Sequence, residues 1–75
     1  MSYQIKYCDI PYKALDKLCE YVCSIQYQFP LLLLWEIRSL VLKQFNCTRE
    51  IDKEDIIYYI FDSYADYIMF LLRFS

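Results

Sequence analysis

Residues 2–8 alternate between apolar and polar, with Tyr3, Ile5 and Tyr7 set against Ser2, Gln4 and Lys6, which is the period-two pattern of a half-buried strand. No other segment alternates as cleanly. This strand is therefore expected to pair with a second copy of the chain, with another protein, or with the short stretch from Thr48 to Ile51. The spacing then becomes helical. Ala14, Leu15, Leu18, Val22, Ile25 and Phe29 line one side of a helix expected over residues 11–28, with Asp9 as its N-cap and Pro11 in its first turn. Pro30 turns the chain into a second helix, expected over residues 31–45. There Leu31, Leu34, Trp35, Ile37, Val41, Leu42 and Phe45 cover a broad face, and Leu33 and Leu40 extend apolar surface to the far side. Only Glu36, Ser39 and Lys43 are clearly polar, and Arg38, inside the apolar face, is expected to snorkel or to pair with a carboxylate. A third helix is expected over residues 53–74, capped by Asp52 and stapled by Ile51 and Ile56. Its core face would carry Ile57, Ile60, Phe61, Tyr64, Ile68, Leu71 and Leu72.

These elements predict a mainly α fold: one domain over residues 1–75, made of three helices preceded by a short N-terminal β-strand. A helix that is apolar almost all round needs cover on most sides, which two neighbours in so short a chain hardly supply. Completion by dimerisation is the expectation, with Ile5, Leu34, Trp35 and Val41 at the interface between the two copies.

Composition sharpens this picture. The chain is 59% hydrophobic and 20% aromatic, yet a domain of this length buries only about 60% of the surface its unfolded form exposes. Apolar side chains therefore remain outside the core, as in a protein that adheres to another protein. Glycine is absent, which argues against phosphate-cradling loops, and histidine is absent too. With no nucleophile placed beside a base, no enzymatic activity, cofactor or small-molecule substrate is expected. The four cysteines, Cys8, Cys19, Cys23 and Cys47, form no C-x-x-C knuckle, so no metal is expected either. They read as small buried hydrophobes in a reducing compartment, with Cys8 and Cys47 brought together at one end of an antiparallel pair of helices.

The formal charge of −2 is unevenly spread. Residues 50–75 hold Glu50, Asp52, Glu54, Asp55, Asp62 and Asp66 against only Lys53 and Arg73. On the expected third helix, Asp55, Asp62 and Asp66 share a face with Tyr58 and Tyr59. Together with Tyr3 and Tyr7 these are the candidate partner-binding residues, since tyrosine offers large contact area with few rotatable bonds. No continuous apolar h-region opens the chain, so a cytoplasmic or otherwise intracellular location is expected. The longest apolar run, Phe29 to Trp35, is too short to span a bilayer, and Asp62 and Asp66 interrupt residues 56–74, so no membrane association is expected.

The leading expectation is thus a small non-enzymatic interaction module, an inhibitor or adaptor of viral or mobile-element type, that pairs with itself and occupies the surface of a larger protein. The alternative comes from the order strand, helix, helix over residues 2–45. With Ile5 and Tyr7 facing inward, Pro11 opening the first helix, Leu15, Leu18 and Val22 in its core, and Ile37-Arg38-Ser39 in the second, this stretch resembles the ribbon-helix-helix DNA-binding proteins. The resemblance implies a dimer whose paired strands would send Ser2, Gln4 and Lys6 into the major groove as a transcriptional regulator.

Overall fold

The computed structural model describes residues 2–75. The chain runs through β1 (Tyr3–Lys6), a 3-10 turn (Tyr7–Asp9), α1 (Tyr12–Ile25), a second 3-10 turn (Gln26–Gln28), α2 (Leu34–Lys43), β2 (Cys47–Ile51), β3 (Ile57–Phe61) and α3 (Tyr64–Arg73). The three strands form one antiparallel sheet in the order β1-β3-β2. The mainly α expectation is overturned: with 54% helix and 19% strand, three helices and a three-stranded sheet, the protein is mixed α and β.

The error lies in the last third of the chain. Ile57, Ile60 and Phe61 fit a helical face, but Ile57, Tyr59 and Phe61 fit the inward side of a strand equally well. A run of isoleucine, tyrosine and phenylalanine favours the pleated form. Residues 57–61 accordingly make the central strand of the sheet instead of the first turns of a helix. Asp52 caps no helix; its Oδ1 accepts hydrogen bonds from the backbone N–H of Glu54 (2.8 Å) and Ile56 (3.0 Å), and its own N–H donates to the Ile56 carbonyl. That closes the β2–β3 turn, in which Asp55 takes a left-handed φ of 63°. The true cap of α3 is Ser63, whose Oγ accepts from the Asp66 N–H at 3.2 Å and donates to Asp66 Oδ2 at 3.0 Å.

The N-terminal strand is real, and its mate lies within the chain. Tyr3, Gln4, Ile5 and Lys6 stand opposite Phe61, Ile60, Tyr59 and Tyr58 of β3. On the other side of β3, Cys47, Arg49 and Ile51 stand opposite Phe61, Tyr59 and Ile57. The sheet is completed without a second copy, so the unpaired strand no longer calls for dimerisation.

Alternation sorts the sheet into two faces. Tyr59 and Phe61 point inward and are fully buried; Tyr58 and Ile60 point outward among Gln4, Lys6, Thr48 and Glu50. Against the inner face pack Ala14, Leu18 and Val22 of α1, Ile37, Val41 and Leu42 of α2, and Tyr67 and Phe70 of α3. Phe70 is the hub, with ring centroids of Phe45, Tyr59, Phe61 and Phe74 at 5.9, 6.4, 5.6 and 5.2 Å.

Two helix boundaries also differ from expectation. Pro11, not Asp9, precedes α1, and residues 31–33 stay irregular before α2. Glu36 Oε1 accepts the Leu33 N–H at 3.1 Å and sets the start of α2 there. At its far end Asn46 adopts φ 54°, a left-handed stop that asparagine tolerates, before β2 begins.

Candidate interaction surface

The expected acidic face does not form, because its members belong to different elements. Asp55 sits in the β2–β3 turn, Asp62 follows β3, and Asp66 lies in the first turn of α3. Asp66 is held in place by Ser63 and by Asn46, whose Nδ2 donates to its Oδ1 at 3.2 Å, so it ties α3 to the end of α2. The tyrosines divide as well. Tyr3 stacks on Tyr67 at 5.0 Å, Tyr7 meets the edge of Tyr59 at 5.6 Å, and Tyr59 is wholly enclosed. Tyr58 lies on the outer face between Lys6 and Glu50. Of the residues expected between two copies, Val41 is core and Ile5 half-buried, whereas Leu34 and Trp35 are exposed. Ser2, Gln4 and Lys6 are exposed, but across β3 from Gln4 and Lys6 stand Thr48 and Glu50, so this face balances one cation with one anion.

The apolar surface that remains open gathers at the corner before α2. Leu31 is 95% exposed, Leu33 61% and Trp35 65%, with Leu34 and Leu40 also exposed. Pro30 prevents the preceding residue from continuing the helical path, and three leucines are thereby held outside the core. Leu32, Trp35 and Leu40, together with Glu36 and Ser39, line a shallow groove of about 260 Å³ along α2.

On the opposite side of Trp35, α2 meets the sheet around a pair of arginines. Arg38 Nε and Tyr59 Oη are both buried and without a hydrogen-bond partner. Both groups line a cavity of about 180 Å³ with Tyr7, Tyr12, Leu15, Asp16, Leu18 and Cys19. Arg38 also walls a cleft of about 100 Å³ with Trp35, Ser39, Leu42 and Arg49. This continues into a wider groove of about 320 Å³ that reaches Lys43, Cys47 and Thr48. Burial pushes the Tyr59 hydroxyl up to about 12, against the pull of the Arg38 and Arg49 charges. The Cys47 thiol is likewise pushed to about 12 by burial, opposed by a backbone hydrogen bond at Ile60. Tyr67 is raised by burial and by its neighbours Tyr3 and Tyr64.

The cysteines depart from expectation. Only Cys47 is buried; Cys8, Cys19 and Cys23 are exposed. Cys8 lines a recess with Asp55 and Ile57 at one end of β3, whereas Cys47 stands opposite Phe61 at the other. The two therefore stand at opposite ends of β3, on its β1 side and its β2 side, and do not meet. Among the described residues no three cysteine, aspartate or glutamate side chains converge to hold a metal ion. Among the described residues no helix is long and apolar enough to cross a membrane. The signal for the arginine cluster was partly present in the sequence, as a charged residue inside the apolar face of α2. Its partner Arg49 is brought there by the β2–β3 pairing.

Comparison with protein-family models, with curated proteins and with solved structures found no match to this chain.

Proposed function

We propose that the chain is a non-enzymatic protein-interaction module, an inhibitor or adaptor that docks onto a larger protein through the corner before α2. The observation that supports this is the open apolar surface of Leu31, Leu33, Leu34, Trp35 and Leu40 beside a shallow groove. Burying a leucine or a comparable side chain gains about 1.5–3 kcal/mol, so a few such residues in one place suffice to anchor a partner. Self-association belongs to the same reading and uses this patch, not the strand, so a second copy and the larger protein compete for it. The test compares the native chain with the variant L31S/L33S/W35S. All three changed residues are exposed, so the melting temperature is expected to hold. Sedimentation at micromolar concentration should show a dimer only for the native chain, and proteins captured from host extract should be lost with the variant. An unchanged set of captured proteins would sink the proposal.

A further inference from the structure

The arginine cluster between α2 and the sheet is separate from the apolar corner except for Trp35, and its chemistry is of another kind. Tyr59 is 0% exposed and its hydroxyl has no partner; Arg38, whose buried Nε is also unpartnered, lines the same cavity and the cleft beside Trp35 as well. Leaving a buried donor unpaired is costly, so the Nε of Arg38 favours an acceptor brought to it from outside the chain. The charge around them is one-sided. Arg38 and Arg49 share the cleft beside Trp35, Lys43 stands at its wider end, and no carboxylate lines either part. Asp16, an exposed acid, lines the neighbouring cavity with Arg38 and Tyr12. In a chain of net charge −2, the charged side chains that line the cleft itself are all cations. Arg49 stands opposite Tyr59 in the β2–β3 register and Arg38 lines a cavity with Tyr59, so both arginines border the same residue.

We propose that this cleft binds a phosphate monoester, with the phosphoryl group held by Arg38 and Arg49 and its organic part laid against Trp35. The guanidinium fork matches the oxygens of a phosphoryl group, and two such forks favour a dianion over a carboxylate. The indole wall supplies the apolar contact that inorganic phosphate cannot use.

Trp35 is the single tryptophan and reports on the site. Phenyl phosphate, inorganic phosphate and phenol are titrated at matched ionic strength, following Trp35 emission and, separately, the melting temperature. Phenyl phosphate is expected to give a saturable emission change and a raised melting temperature, and to bind at least about tenfold more tightly than either of the other two. R49Q, at an exposed position, should keep the fold and weaken binding about tenfold; R38Q should do the same. Y59F, a change outside the cleft, should bind as tightly as the native chain while melting no lower, because it removes a buried hydroxyl that has no partner. Leu31→Ser and Leu33→Ser should leave binding unchanged, so failure of the docking corner and failure of this site are told apart. The proposal is overturned if phenyl phosphate produces neither signal, if inorganic phosphate binds as tightly, or if R49Q binds phenyl phosphate as well as the native chain.

Discussion

Residue chemistry in this protein is decided by which side chains the sheet covers. Cys47 and Tyr59 occupy neighbouring strands, are almost wholly buried, and have their acidities suppressed to about 12 by loss of solvation. A thiol that remains protonated is a poor nucleophile. Iodoacetamide at pH 8, followed by peptide mass spectrometry, should therefore modify Cys8, Cys19 and Cys23 in the folded chain and leave Cys47 untouched until denaturant is added. Rapid labelling of Cys47 under native conditions would mean that the start of β2 opens readily.

At the scale of elements, three short polar devices set the boundaries: Glu36 at the start of α2, Asp52 in the β2–β3 turn and Ser63 at the start of α3. Ser63 and Asp66 satisfy each other, and Asp66 also takes the Asn46 amide, so this cap joins two elements. Ser63→Ala should lower stability by about 1 kcal/mol, measured by urea denaturation. Asp62→Asn should change it by less than about 0.5 kcal/mol, since the Asp62 side chain is exposed. Equal effects of the two changes would contradict the separation of these carboxylates into a structural and a solvated one.

The whole molecule depends on one aromatic centre joining sheet and helices. Phe70 touches rings from β3, from the end of α2 and from α3 itself, and is fully buried. Phe70→Ala should cost about 3–5 kcal/mol. That is a large share of the roughly 5–15 kcal/mol available to a small domain, so the variant should melt far below the native chain by circular dichroism, and fail to fold if the native margin is slim. A melting temperature within a few degrees of the native value would show that the core tolerates a void there. The same compactness explains the open corner: a sheet with one covered face has room for Ile37, Val41 and Leu42 of α2, and the leucines before that helix are left outside.

Local pattern alone determined the N-terminal strand, the buried stripe Ala14, Leu18 and Val22 of α1, and the surplus of apolar side chains, because alternation and helical spacing are properties of neighbouring residues. The nature of residues 53–62 was not legible in the same way. A continuous apolar run satisfies both a helical and an extended period, and the choice depends on whether strands elsewhere in the chain offer hydrogen bonds to it. Here β2 does so across the Asp52 turn and β1 from the far end of the chain, a distance no local pattern reports. That pairing carried the acidic residues apart, buried Tyr59, separated Cys8 from Cys47, and set Arg49 beside Arg38. The arginine cleft exists only because the sheet brings β2 against α2, whereas the open apolar corner is set locally around Pro30.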